Sequence, residues 1–512
     1  MMTSASILFD RFEQARVAEP VEPAFFADLN LDQVITSLTA GRSEYNLEPL
    51  FYRPLHRVDS ITYRHEVMRD LQIPALSHRA DIFAEQLRRM RGCLSMAARM
   101  RYTRQRQRWL LDAAGCYVDA VAALSADLSR IGVTSRGLCA FRDHLAAYVA
   151  STDFTVLAAE VNDLGDRLAD VRYCVDILGG RVTVSRYQGE TDYGEDVTTT
   201  FARFRSGHMK GYLVTFADSG DMNHVEAGIL DRVAQLYPDV FTGLDDFCSR
   251  ERDYVEDAVA VFDREVQFYL AYRDLVAGLI PAGLVFCYPQ VSDQSKEVAA
   301  TDTFDLAMAA GLVASASRVV CNDFHLTDPE RIFVVSGPNQ GGKTTFARTF
   351  GQLHYLASLG LPVPGRRAHL YVPDELFTHF EREEDPHDQN GKLQDDLIRI
   401  HRILQQATPR SVVIMNEIFT STTLEDAVFL GSRIVQRIIA LDLLCVCVTF
   451  VDELASLGPT TVSLVSTVVS GNPSVRTFKV ERRPADGLSH AMVIAQKYGL
   501  TYEALRRRVA SS

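Results

Sequence analysis

The chain has 512 residues, 47% of them hydrophobic and 23% charged, with a formal net charge of −13. These proportions exclude a disordered or collagen-like polypeptide and allow roughly two to four domains with ample cores. The acidic balance excludes a uniformly basic nucleic-acid binder, though not a local basic surface on an acidic protein.

The N-terminus, MMTSASILFDRFEQAR, lacks a basic n-region and carries Asp10 and Glu13 early, which argues against a secretory signal. No apolar run reaches about 18 residues, so no transmembrane helix and no membrane partner is expected. Nine scattered cysteines, an odd number, read as reduced thiols in a cytoplasmic protein.

Residues 1–80 read as short helical pieces, LDQVITSLTAG and VDSITYRHEVMRDLQ among them, punctuated by Pro20, Pro23, Pro49, Pro54 and Pro74. Nothing in this stretch suggests chemistry beyond scaffold. Residues 80–170 are strongly helical in pattern. From Leu87 to Leu110 there are eight arginines (Arg88, Arg89, Arg91, Arg99, Arg101, Arg104, Arg106, Arg108) and no acid. Arg101, Arg104 and Arg108 fall at i, i+3, i+7, which places them on one helix face. Such a face either contacts the phosphates of DNA or is a solvated face paired with acids from elsewhere. Trp109, which closes the run, reads as core.

The stretch 171–187, VRYCVDILGGRVTVSRY, has two alternating β-branched runs around Gly179-Gly180, a hairpin signal. It is either a protruding tip or an ordinary packed hairpin. Residues 188–198, QGETDYGEDVT, read as an acidic loop. From about 222 to 280 the pattern is helical again and ends in one or two long helices. Pro281, Pro289 and Ser292 mark a linker, with a domain boundary near 290.

Beyond it, strand-like and helix-like runs alternate. SVVIMNE and LLCVCVTF are buried strands; Leu393–Gln406 and LEDAVFLGSRIVQRIIA are helices. This is the pattern of an α/β domain with a mainly parallel sheet. The pair Cys445 and Cys447 reads as strand packing rather than a metal site.

The most informative stretch is RIFVVSGPNQGGKTTFAR, Arg331–Arg348. A short apolar strand is followed by a glycine-rich turn and then a helix, with the spacing G-x-x-x-x-G-K-[ST] complete. Gly337, Pro338, Asn339, Gly341 and Gly342 form a loop whose backbone N–H groups turn toward phosphate oxygens. Lys343 supplies a charge for the β/γ-phosphates, and Thr344, with Thr345 beside it, a hydroxyl for Mg²⁺. The helix N-terminus adds its own preference for anions. ATP and Mg²⁺ are the expected cofactors. The strand ending in Asn416-Glu417 supplies the second part of such a site. Asn416 stands where an Asp normally faces the metal, and it brings an oxygen without a charge. Glu417 is the candidate catalytic residue, a general base for the attacking water.

With these residues in place, the chain resembles the MutS family of DNA mismatch-repair ATPases, whose ATPase domain is of the ABC class. Ser336–Thr345, SGPNQGGKTT, is similar to the family's phosphate loop, and Asn416–Ala427, NEIFTSTTLEDA, to its second nucleotide motif, with Thr422, Thr423 and Asp426 matching in type. Val363-Pro364, Asp374–Thr378 (DELFT) and Ser489–Leu500 (SHAMVIAQKYGL) resemble further family segments. The resemblance covers about 290–512 well; Pro54–Leu71 and Gly283–Val291 look more weakly like parts of the family's core and lever region. It implies that Asn322 lies beside the adenine. It also implies that Asn390, Gly391 and Lys392, in the place of the signature segment, serve the nucleotide of a partner subunit in a homodimer built on the ATPase domain. Lever-like helices begin almost at once, so mismatch reading by the family's N-terminal domain is not expected to carry over. Phe450 stands where the family has its switch histidine, and a phenyl ring cannot hydrogen-bond a γ-phosphate. Asp452 is the neighbour that would compensate.

The sequence thus reads as multidomain: a mainly α-helical core and lever region with a β-hairpin at 1–290, its DNA-contacting arm at about 80–200, then an α/β phosphate-loop, ABC-type ATPase domain at 291–512. The leading reading is an ATP-controlled DNA-binding dimer, a weak or DNA-regulated ATPase of DNA repair or recombination on branched rather than mismatched DNA. The alternative is a nucleotide-gated dimerisation protein with little hydrolysis and no DNA binding. A transporter-coupled ATPase is disfavoured, since the chain lacks an LSGGQ signature.

Overall fold

The structure is a computed structural model that describes residues 6–11, 20–190, 222–250, 253–381, 391–469 and 472–484, together with 502 and 506. Its internal contacts divide the chain into two compact units, and the division does not fall at 290. One unit holds Gln72–Val133 and Leu138–Asp263. The other gathers Ser6–Leu71, Thr134–Gly137 and Arg264–Ser512.

The first unit is helical. Pro74–Arg99 begins with proline at its first position, where a missing N–H costs nothing, and packs along Thr103–Arg130. Phe83, Leu87 and Met90 from one helix and Leu111, Tyr117, Val121 and Leu124 from the other are buried, the stripe that 3.6-residue periodicity produces. Thr103–Arg130 is long and apolar enough, by length and composition, to cross a membrane, which the search for an unbroken apolar run does not reveal. Half of its most apolar stretch is buried within the protein, as in the core helix of a globular unit. Trp109 is only partly buried, so it is not the core residue expected.

The hairpin is present as read. Tyr173–Leu178 pairs antiparallel with Arg181–Arg186, and Gly179 (φ 57°) and Gly180 (φ 80°) form the turn between them. Both are left-handed, the conformation a two-residue hairpin turn demands and glycine supplies without strain. Ile177 and Leu178 are 72% and 85% exposed, so this is the protruding form.

The second unit contains, among the described residues, a six-stranded sheet in the order Leu376–Phe380, Val412–Asn416, Leu444–Val448, Ile332–Ser336, Thr461–Val469, Asn472–Arg482. The first five strands are parallel and the last is antiparallel. Val412–Asn416 and Leu444–Val448 are buried along their whole length, as continuous apolar runs between helices must be. Cys445 and Cys447 are 0% exposed, which settles them as packing.

The stretch read as a linker is not one. Phe286–Cys287 pairs with Val363–Pro364, and Gln290–Ser292 joins a four-stranded sheet beside Arg367–Tyr371. Pro281 lies in a short 3-10 turn and Pro289 between two strands, positions that need no ladder N–H.

Residues 6–71 join this unit through buried hydrogen bonds. Tyr63 Oη donates to Ser6 O (2.6 Å), and Glu265 accepts from Ser6 Oγ (2.7 Å) and Ile7 N (2.8 Å). The fully buried Arg64 donates to Leu8 O (2.9 Å) and to Leu359 O (2.8 Å), just past the helix Lys343–Ser358. Along that helix, Arg348 Nε donates to Asp28 O (2.9 Å), Gln352 Nε2 to Leu29 O (2.8 Å) and Tyr355 Oη to Phe51 O (2.7 Å). The expected partition into 1–290 and 291–512 is not the division the structure shows, because residues of the 6–71 segment carry partners of the helix Lys343–Ser358.

Candidate nucleotide site

The loop 337–342 leaves the central strand Ile332–Ser336 and ends at the helix Lys343–Ser358. Its glycines have separate reasons. Gly337 (φ 114°) and Gly342 (φ 94°) are left-handed. At Gly341 a Cβ would lie 2.5 Å from Ser466 Oγ and 2.8 Å from Pro338 O; at Gly337 one would lie 2.5 Å from the same Ser466 Oγ. The loop therefore lies directly on the strand Thr461–Val469, and Ser466 is a site neighbour that the motif alone does not reveal.

Lys343 is 6% exposed. Its Nζ donates to Gly337 O (2.9 Å), Pro338 O (3.3 Å) and Asn339 Oδ1 (3.3 Å), wrapping the loop around its ammonium. Burial pulls its pKa below the ordinary lysine value, and Arg476 adds to this, while Glu417 opposes it. A buried ammonium held by neutral oxygens is completed by an anion.

Thr344 Oγ1 donates to Asn416 Oδ1 at 2.9 Å, joining the two halves of the motif. Asn416 is 7% exposed at the end of its strand. The next residue, Glu417, is left-handed (φ 55°), as is Phe419 (φ 60°). Such strain in non-glycine residues is retained where a side chain must be aimed. Here the turn brings Glu417 Oε1 to 3.9 Å from Lys343 Nζ. Thr344 and Asn416 would hold Mg²⁺ through neutral oxygens, and an ion arriving with a nucleotide's phosphates fits them, since phosphate supplies the anionic ligands. That ion would neutralise phosphate charge.

Lys343, Thr344 and Glu417 line a cavity of 350 Å³; Asn416 is not among its lining residues. One side is Gln340 to Thr345 with Glu417; the other is Met308, Leu312, Val320, Asn322 and Phe478. Asn322 is in the cavity wall as expected, but its amide is engaged: Nδ2 donates to Phe478 O (3.1 Å), and Oδ1 accepts from Val480 N (2.8 Å). Gly391 is the N-cap of Lys392–Gln406 and does not line this cavity. Asn390 lies outside the described residues, as does Ser489–Leu500. Phe450 is 50% exposed, Asp452 opens a short 3-10 helix, and neither lines the cavity. Thr423 caps the helix Leu424–Leu441, accepting from Asp426 N at 3.2 Å, so the matched Thr and Asp serve as a helix start.

The arginine run does not form one helix face. Arg101 lies in the turn between Pro74–Arg99 and Thr103–Arg130, so i, i+3, i+7 spacing does not apply to it. Arg104 pairs with Asp245 (2.7 Å), Arg108 with Asp112 (2.9 Å), Arg88 with Glu85 (2.5 Å) and Arg91 with Asp263. Asp245 and Asp263 are far away in sequence, so a window free of acids is not a surface free of acids.

Residues 333–504 match the family model described as MutS domain V. The chain is 32% identical over 146 residues to the DNA mismatch repair protein MutS of Psychrobacter cryohalolentis, 28% of this chain and 14% of that protein. It is 27% identical over 245 residues to the DNA mismatch repair protein MutS of Erythrobacter litoralis, 46% of this chain and 28% of that one. It is also 27% identical over 198 residues to the Endonuclease MutS2 of Thermus thermophilus, 37% of this chain and 26% of that one. The matches thus span less than a third of the length of these relatives. The matched residues carry the loop, Lys343, Asn416 and Glu417, and they are those of a MutS domain V.

Proposed function

We propose that the chain is a DNA repair or recombination protein of the MutS family that binds ATP with Mg²⁺ at Lys343 and Thr344 and hydrolyses it slowly, as an ABC-type ATPase acting in a homodimer. The observation that carries the nucleotide reading is the buried Lys343, wrapped by its own loop and 3.9 Å from Glu417. Glu417 would take the proton of the attacking water; Lys343 and the loop N–H groups would hold the phosphates. Slow turnover follows from Asn416 in place of a carboxylate and from Phe450, which offers no hydrogen bond. The names of the relatives support a role on DNA in mismatch repair or a related process. Branched DNA is the preferred substrate class in this reading, with Arg101 and the exposed hairpin as contacts. Gly391, with Asn390, would serve a partner's nucleotide. Nine unpaired cysteines fit a cytoplasmic setting.

A second reading, a nucleotide-gated dimerisation protein without DNA binding, is favoured by the pairing of Arg88, Arg91, Arg104 and Arg108 with acids. Measuring ATP turnover and DNA retention with duplex, branched and mismatched DNA tests both. Turnover or binding that responds to any DNA form supports the first. Nucleotide binding with no DNA retention at low salt refutes it in favour of the second.

A further inference from the structure

The four-stranded sheet, in the order Gln290–Ser292, Arg367–Tyr371, Val298–Thr303, Asn322–Leu326, buries one face and exposes the other. Val298, Ala300, Ala368 and Leu370 are buried, so the alternate residues Ala299, Thr301, Arg367 and His369 share the opposite face. The register sets Gln290 and Ala299 on either side of His369, and Thr301 beside Arg367. A cavity of 420 Å³ lies here, with Tyr288, Gln290, Thr301, Arg366, Arg367 and His369 in its wall. None of its lining residues is shared with the cavity beside the loop 337–342. None of the described residues that line it is acidic, although the chain carries a net charge of −13.

Arg366 is held in place. The sheet is irregular between Ala300 and Thr303, and Asp302 in that bulge is left-handed at φ 55°. Asp302 N donates to Asp323 Oδ1 (2.7 Å), and Asp302 Oδ2 accepts from Arg366 Nε (2.8 Å). Strain in a non-glycine residue is retained where a side chain must be aimed, and this carboxylate is aimed at Arg366. Arg366 N donates to Thr301 O (2.9 Å), a close approach that Gly365 permits, since a Cβ there would lie 2.9 Å from the same oxygen. The carboxylate takes only Nε, so both Nη groups of Arg366 are without a hydrogen bond among the described residues. Arg367 is exposed and has no acidic partner among the described residues. Tyr288 Oη and His369 Nε2 are shielded from solvent and have no hydrogen-bond partner, a standing cost to the fold. Arg69 lies over the Tyr288 ring at 4.3 Å and His65 packs against it in a T-shaped contact at 5.3 Å, which fixes the ring. Burial pushes the Tyr288 hydroxyl up from its ordinary pKa, against the opposing effect of Arg69, so it remains a donor at neutral pH.

We propose that this cavity is a second anion site, which takes a phosphate group gripped by Arg366 and Arg367 and oriented by Tyr288. Guanidinium forks match phosphate oxygens in pairs, and an oxyanion supplies the acceptor that the orphaned hydroxyl lacks. A small phosphorylated molecule and the phosphodiesters of DNA offer the same chemistry.

The test is calorimetric titration with inorganic phosphate of the full chain carrying Lys343→Met, in which the cation of the loop is gone. The same chain is then measured with Arg366→Ala and Arg367→Ala added, and with Tyr288→Phe added. Lys343→Met should bind one phosphate, and removal of both arginines should abolish this. Tyr288→Phe should weaken it about 10-fold to 100-fold, the worth of one hydrogen bond to a charged group. It should do so without lowering the thermal midpoint, because the hydroxyl removed has no partner. An unphosphorylated thymidine decamer, run in competition, separates the sources: displacement of phosphate identifies the DNA backbone as ligand, and its absence a small phosphorylated molecule. No phosphate bound to Lys343→Met, or binding that survives the loss of both arginines, overturns the site. Unchanged affinity in Tyr288→Phe overturns the role of the hydroxyl. Failure of the nucleotide reading has a separate signature, an unaltered chain that binds ATP no better than Lys343→Met does.

Discussion

Replacing Asn416 by Asp changes one atom at the centre of the site and adds one charge. Thr344 Oγ1 already donates to Asn416 Oδ1 at 2.9 Å, so the carboxylate inherits this bond in charge-assisted form, a gain of about 1 kcal/mol. Against it stands burial: Asn416 is 7% exposed, and a buried carboxylate loses several kcal/mol of hydration. Without metal the substitution should therefore lower stability by about 1–3 kcal/mol. With nucleotide and Mg²⁺ the balance reverses. A unit charge about 5 Å from a divalent ion attracts it by roughly 7 kcal/mol at an effective dielectric of about 20, before that hydration loss is deducted. A net gain of about 1–3 kcal/mol remains, equivalent to a half-saturating Mg²⁺ concentration lower by roughly 5-fold to 100-fold. The assay is Mg²⁺ titration of fluorescent ATP binding, with turnover measured in parallel. Turnover should rise. An unchanged Mg²⁺ requirement, or slower turnover with intact binding, would refute the argument and show a site built around the amide.

Lys343→Met removes a cation held in a buried loop and should abolish nucleotide binding while the thermal midpoint stays level or rises, read by calorimetry and melting on one sample; retained ATP affinity would disprove the role of the ammonium. Glu417→Gln should keep ATP affinity within about twofold and abolish single-turnover hydrolysis; equal turnover in both would remove Glu417 as base. Burial holds His65 and His354 down at about 4, with Arg69 adding to the effect at His65. Unfolded histidines titrate near about 6.5, so the unfolded chain binds more protons between these values. Their contribution is complete above about 6.5 and is lost as pH falls toward 4, up to about 3 kcal/mol each. Urea melts at pH 7 and pH 5 should show this slope, and His354→Phe should remove about half of it; a slope unaffected by the substitution counts against the assignment. Arg101→Ala combined with Arg104→Ala and Arg108→Ala should flatten the salt dependence of branched-DNA binding if the arm contacts phosphate. Arg104→Ala alone should cost stability through Asp245 and leave that slope unchanged.

Legibility followed the range of the interactions. The loop was readable because Gly337, Gly342 and Lys343 are dictated by local backbone geometry and a motif of fixed spacing. The hairpin was readable because Gly179-Gly180 encodes its turn locally. The basic face was not, because it rested on an unbroken helix and the chain turns at Met100–Tyr102, while the acids that answer Arg91 and Arg104 come from Asp263 and Asp245. The boundary near 290 was misplaced for the same reason. Proline spacing marks element ends, but it cannot say that Phe286–Cys287 and Gln290–Ser292 find strands some 75 residues onward. Asp302 escaped notice because a bulge aims it, and bulges depend on register between two strands rather than on composition.

The helix Lys343–Ser358 takes three carbonyl partners from residues 28, 29 and 51. Dissection at the apparent domain border is thereby ruled out as a route to a folded loop-bearing domain. A fragment starting at 291 would leave the amide of Gln352 and the hydroxyl of Tyr355, both buried, facing unfilled space, together with the apolar wall against Leu29. Each orphaned group costs about 1–3 kcal/mol, enough in sum to consume much of a domain's margin. The severed piece should aggregate alone and recover when the 6–71 segment is supplied in trans. The segment 6–71 is in that sense an internal chaperone of the half that carries the loop 337–342, supplied by the same chain.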